Sequence, residues 1–200
     1  MEKSAKEMVL EQLSSRYFLR SCELEEVGAN RALLGRMVSR GEIEKVGTGV
    51  YALPGREISE YENLIEVAVR APKSVFCLLT ALSIHEVTTQ MPREIWVALE
   101  EGDRTPKFTY PPTKKLKFSS SSFQYGIETK SFEGREVRVY SVSKTVADCF
   151  KFRNRIGVDV AIEAMKDSLR KRLVTFSSLL DASRVNRVEK IITPYLEAMM

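Results

Sequence analysis

A single histidine, His85, and three cysteines, Cys22, Cys77 and Cys149, are all the imidazole and thiol the 200 residues contain. One imidazole and no Cys-x-x-Cys spacing leave no indicated zinc site. An odd number of widely spaced cysteines gives no disulfide framework, so free, buried thiols are expected. No apolar run reaches the length of a membrane span, and the opening MEKSAKEMVLEQL has no basic flank followed by an apolar stretch. These absences lead to the expectation of a cytoplasmic protein with no membrane partner, metal or cofactor. Internal repeats and long low-complexity segments are also lacking.

Acidic residues are scarce in one region. Residues 104–155 hold twelve Lys and Arg against four acids, Glu128, Glu133, Glu136 and Asp148. Residues 1–55, by contrast, balance eight Lys and Arg with eight Glu. The net charge of +4 therefore says less than its distribution. With 44% apolar residues the chain can bury real cores, as one large domain or two small ones.

What is present is concentrated in residues 16–54. Ser4 to Leu13 predicts a first helix, with Ser4 and Glu7 in a capping-box pattern. Tyr17 to Leu19 is a short apolar run suited to pairing with a later strand. A brief helix over Ser21 or Cys22 to Val27 ends at Gly28. Asn30 can cap the next helix, Arg31 to Arg40, which ends at Gly41. At 100° per residue Leu34, Met37 and Val38 share the inner face, while Ala32, Gly35, Arg36 and Ser39 point outward, flanked by Arg31 and Arg40. Ile43 to Val46 and Val50 to Leu53 then form a hairpin around Gly47-Thr48-Gly49, with Lys45 and Thr48 near its tip. This order is a winged helix-turn-helix, an arrangement that presents a helix to the DNA major groove. A small, polar and basic outward face lets that helix lie deep in a groove.

Pro54-Gly55 closes the module, so a DNA-binding domain over 1–55 and an α/β domain over 56–200 are expected. In the second part helices are predicted over Ser59–Val69 and Ser74–Val87, and a strand over Glu94–Glu100. Residues 102–122 mix Pro, Lys and Ser and predict loop and edge strand. Phe123–Phe132 and Arg135–Val142 alternate around Glu133-Gly134 as a hairpin. Helices return over Ser143–Phe152, Gly157–Arg170, Thr175–Arg184 and Val185–Met199. The fold class is thus α+β, a winged helix followed by a mixed α/β domain with a small sheet flanked by helices.

Three blocks carry a family resemblance: EIEKVGTGVYALPG in the wing, SVFCLLTALSIHEVTTQMPREIWVAL in the middle, and SVSKTVADCFKFRNRIGVDVAIEAMKDSLRKR. In this order the chain resembles the AbiE-type antitoxins over nearly its whole length. The resemblance implies transcriptional regulators that bind inverted repeats in their own promoter, usually encoded beside a nucleotidyltransferase-like toxin. It implies an α/β domain needed for antitoxicity. It places DNA contact on Asn30 to Arg40 and on the wing from Lys45 to Gly49. A monomer or dimer on double-stranded DNA, repressing its operon and functionally paired with such a toxin, is the expected protein.

Other patterns compete. The run Ala81 to Glu86 brings Ser83, His85 and Glu86 close in sequence, but successive helical positions diverge by 100°, so a structural role is expected for His85. Asp159, Glu163 and Asp167 share a helix face and, with Asp148, suggest a winged-helix-guided nuclease. Interleaved Lys166, Arg170 and Lys171 make surface ion pairs the better account, and no enzyme is expected. Asp148 amid apolar neighbours is read as a helix-start or inter-domain hydrogen bond. Lys114, Lys115, Lys117, Arg153 and Arg155 are candidate phosphate contacts, with Phe108, Tyr110 and Phe118 interleaved. A solitary regulator without a toxin, and a winged helix docking a protein partner, remain the other readings.

Overall fold

The computed structural model describes residues 3–90 and 92–199. The chain divides into two compact units, Met1–Pro72 with Ser131–Val137, and Lys73–Lys130 with Arg138–Met200.

In the first unit α1 (Ala5–Ser15) opens with the predicted box: Glu7 N donates to Ser4 Oγ and Ser4 N to Glu7 Oε2, at 3.3 and 2.8 Å. Then follow β1 (Leu19–Arg20), α2 (Ser21–Glu25) and α3 (Arg31–Ser39). The wing is β2 (Glu44–Gly47) and β3 (Val50–Ala52), and α4 (Glu62–Arg70) comes after it. The sheet order is β1-β3-β2, all antiparallel, with Leu19 opposite Tyr51 and Lys45 on the other side of Tyr51. The short run before α2 therefore does pair with the wing. Val9, Leu13, Leu24, Leu34, Met37 and Ile43 fill the core beneath the three helices. The winged helix-turn-helix order read from the sequence is the order found.

The second unit runs β4 (Val75–Phe76), α5 (Leu78–Ile84), β5 (Ile95–Glu100), β6 (Thr113–Phe118) and α6 (Ser120–Gln124). Next come β7 (Ile127–Phe132), β8 (Arg135–Tyr140) and α7 (Val142–Lys151). The chain finishes with α8 (Arg153–Ile156), α9 (Val158–Arg170), α10 (Phe176–Val185) and α11 (Glu189–Glu197). The five strands are ordered β6-β5-β4-β8-β7, with β4 antiparallel to β5 but parallel to β8, and β5 parallel to β6. Phe118, Phe123, Val146, Phe150, Met165, Leu179 and Ile192 belong to one core between sheet and helices. The mixed α/β fold class holds.

Four sequence expectations need correction. The helix expected over Ser74–Val87 is a strand and a shorter helix, because Val75 and Phe76 pair with Ala98 and Val97 at the centre of the sheet. The corner is sharp, and Leu78 sits at φ 47°, a conformation rare for a bulky residue. Phe123 does not begin a strand but lies in α6, buried in the core, and the strand starts at Ile127. The final helix starts at Glu189 rather than Val185, since Asn186 is committed to a buried hydrogen-bond network and Arg187 turns to φ 59°. Asp148 is neither a helix start nor an inter-domain contact: it lies within α7, fully buried, 2.6 Å from Lys144. The edge-strand expectation for 102–122 is met by β6.

Candidate nucleic-acid interface

Helix α3 is built as its periodicity predicts. Asn30, in extended conformation, accepts from Leu33 N at 2.9 Å, satisfying one of the free first-turn donors, and Gly41 reverses the chain at φ 69°. Leu34 and Met37 are buried and Val38 half-buried, so the helix is held by its inner face. Arg31, Ala32, Gly35, Arg36, Ser39 and Arg40 are all exposed. On the wing Lys45 and Thr48 are exposed as well, and Gly49 at φ 67° makes the turn.

Arg31, Gly35, Lys45, Thr48 and Gly49, with Ser21, Val38 and Tyr51, line a groove of about 640 Å³, whereas Asn30, Ala32, Arg36, Ser39 and Arg40 lie outside its lining. Helix and wing are thus two walls of one depression. Ser21 N donates to Gly49 O at 2.8 Å, tying the start of α2 to the wing turn. Sequence reasoning placed Arg31, Gly35, Lys45 and Thr48 here but missed Ser21 and Tyr51, which reach the groove only through the β1–β3 pairing.

The electrostatics of this face differ from the neutral count over residues 1–55. Four of the segment's glutamates are occupied elsewhere: Glu11 by Lys3, Glu42 by Lys6, Glu44 by Arg56 and Glu23 by Arg135. Among the described residues no ion pair engages Arg31, Arg36, Arg40 or Lys45. Four exposed cations therefore stand on the helix and wing without an acidic partner, although exposed Glu25 and Glu26 lie on and just after α2. Local pairing concentrates positive charge on one face of a segment whose sum is zero.

The basic residues of the second unit are used differently. Lys115 Nζ donates to the carbonyls of Pro106 and Phe108, at 3.0 and 3.2 Å, and partial burial lowers its pKa. Lys117 Nζ donates to the carbonyls of Glu100 and Asp103. Arg153 Nη1 donates to Phe150 O at 2.9 Å, and Arg155 lies over Phe152. Lys114, exposed, sits 4.6 Å over the Trp96 ring. Most of these cations fasten local backbone, and lysines on the open edge strand β6 also discourage edge-to-edge pairing.

The residues behind the enzyme reading are placed as follows. Asp167 pairs with Arg170 at 3.0 Å, and Glu163 accepts from Thr89 Oγ1. Among the described residues no three His, Cys, Asp or Glu side chains converge to hold a metal ion. His85 Nε2 donates to Tyr140 O at 2.7 Å, a structural use, and burial lowers its pKa. Cys77 and Cys149 are buried free thiols, with burial pushing both pKa values up, while Cys22 is half-buried and accepts from the Arg20 guanidinium. Among the described residues no helix is long and apolar enough to cross a membrane.

Residues 7–54, from α1 to the end of the wing, match the family described as "Transcriptional regulator, AbiEi antitoxin". The resemblance read from the sequence is borne out over this segment. No curated protein matches the chain.

Proposed function

We propose that this protein is a sequence-specific DNA-binding repressor that serves as the antitoxin of a toxin-antitoxin pair and regulates its own operon. The supporting observation is the cationic face of α3 and the wing, set around a groove whose floor is small and uncharged at Gly35 and Val38. Asn30 fixes the start of the reading helix. Ala32, Gly35 and Ser39 let it approach closely, and Arg36 reaches a base edge. Arg31, Arg40, Lys45 and Thr48 hold flanking phosphates. Two half-sites, as inverted repeats present, call for a dimer or two cooperating monomers. Lys114, Lys117, Arg153 and Arg155 add a weaker, sequence-independent attraction to the backbone. The match over residues 7–54 supports the antitoxin role and, with it, a nucleotidyltransferase-like toxin as the functional partner in the cytoplasm.

The test is binding to the DNA upstream of the protein's own gene, measured against salt. Arg36→Ala combined with Lys45→Ala should weaken binding and flatten the log–log salt slope by about one, for the phosphate that Lys45 no longer neutralises, while loss of the Arg36 base contact relaxes sequence preference. An unchanged affinity and slope would show that the surface is wrongly assigned.

A further inference from the structure

The first unit includes seven residues from far along the chain, Ser131–Val137. They are the tip of the β7–β8 hairpin, turned at Glu133 (φ 46°) and Gly134 (φ 72°), the pair of positive φ values a two-residue turn of this kind requires. Three contacts seat the tip. The Phe132 ring lies 4.5 Å from the Tyr61 ring, and Glu133 Oε1 accepts from Ser59 Oγ at 3.3 Å. Gly134 sits so close to the end of α1 that a Cβ there would run into the Ser15 carbonyl oxygen.

The tip delivers Arg135 to the helix-turn-helix. Arg135 Nη1 donates to Glu23 Oε1 at 2.6 Å, with both side chains mostly buried, at 15% and 21% exposed. The other oxygen, Glu23 Oε2, accepts from Arg20 N at 2.8 Å and so caps α2. The next amide, Ser21 N, donates to Gly49 O in the wing turn. A continuous set of hydrogen bonds thus runs from Arg135 through Glu23 and the start of α2 to the wing, and Ser21 and Gly49 both line the groove. Helix α2 has only five residues, too few to fix its own orientation, so its place depends on partners of this kind.

We infer that Arg135 is a positioning residue for the DNA-reading groove. It touches no DNA and sets α2 and the wing turn through Glu23, an assignment that rests on the DNA-binding reading above. The experiment measures affinity for the upstream DNA, its salt slope, and amide hydrogen exchange in the full chain carrying Arg135→Ala, Arg135→Lys, Gly134→Ala or Arg36→Ala. Arg135→Ala should lower affinity about tenfold, the loss expected of one charge-assisted bond, while leaving the salt slope unchanged because no phosphate contact is removed. Amides of residues 20–25 should exchange faster and those of 34–38 should not. Arg135→Lys should restore part of the affinity, and Gly134→Ala, which keeps the charge but lifts the tip, should reproduce the faster exchange at 20–25.

Wild-type affinity in Arg135→Ala beside weakened binding in Arg36→Ala would overturn the positioning role and leave the DNA reading standing. A slope flattened by about one would make Arg135 a phosphate contact, which also overturns it. If the wild type shows no preference for its upstream DNA, the DNA reading fails and takes the groove-positioning role with it. Exchange at 20–25 then still decides whether the tip holds α2.

Discussion

Asp148 and Lys144 show what one buried pair demands. Both are fully buried on α7, and Asn186 Nδ2 also donates to Asp148 Oδ1 at 2.8 Å while Ser122 Oγ donates to Asn186 Oδ1 at 2.7 Å. Burial lowers the Lys144 pKa and raises that of Asp148, and each charge opposes the other's shift. Asp148 Oδ2 has no hydrogen-bond partner among the described residues, so the network is satisfied on one oxygen only. Asp148→Ala should cost about 3–5 kcal/mol in denaturant unfolding, because it strands a buried ammonium. Adding Lys144→Met should recover much of that loss. His85 sets a pH dependence. Its folded pKa lies below the ordinary 6.5, through burial first and Lys130 as a lesser cause, against the opposing Tyr140 carbonyl and Glu128. The unfolded chain therefore binds the proton more readily, and this contribution is complete above pH 6.5 and lost as pH falls below it. Unfolding free energy between about pH 7.5 and 5.5 should fall less steeply in His85→Gln than in the wild type.

Helix α3 carries a residue that stability alone does not explain. Gly35 lies inside the helix, is exposed, has no positive φ, and a Cβ placed there would meet nothing within 4 Å. Gly35→Ala should therefore stabilise the protein, by about 0.5–1 kcal/mol from helix propensity. The added methyl would also narrow the groove between helix and wing. The expected pairing is a higher melting temperature with weaker DNA binding, and unchanged affinity would mean that DNA does not approach the helix at this point. This element was legible because its signals are local: the Asn30 cap, Leu34 and Met37 one turn apart, and the Gly41 stop. The two-residue strand Val75–Phe76 was not, since apolar residues ahead of a helix carry no period, and the pairing with Ala98 and Val97 decides the matter. Asn186 looked like an ordinary helix residue for the same reason: its partner, Asp148, is thirty-eight positions away. In the groove the local residues were readable, while Ser21 and Tyr51, like Arg135 on the hairpin tip, depend on contacts that only the folded chain makes.

Across the whole molecule, sequence order and compact units do not coincide, and this bears on how much of the chain the winged helix needs. The segment 1–72 has a small core, and a unit of that size gains only about 3–5 kcal/mol from it. Without residues 131–137 it would expose the Tyr61 ring face that Phe132 covers and leave Glu23 without its arginine. Together these losses amount to about 2–3 kcal/mol, a large share of the available margin. A fragment 1–72 should therefore melt well below the full chain by helical circular dichroism, and its Leu34 and Met37 amides should exchange at least about tenfold faster, since each 1.4 kcal/mol is a factor of ten. Its cationic face would be intact, because Arg31, Arg36, Arg40 and Lys45 all lie within it. The fragment should nonetheless lose affinity with a somewhat flatter salt slope, because the backbone attraction of Lys114, Lys117, Arg153 and Arg155 goes with the second unit, whereas an unchanged slope would assign the whole loss to a disordered reading surface. A fragment that melts and binds like the full chain would show that the hairpin tip is dispensable to the winged helix.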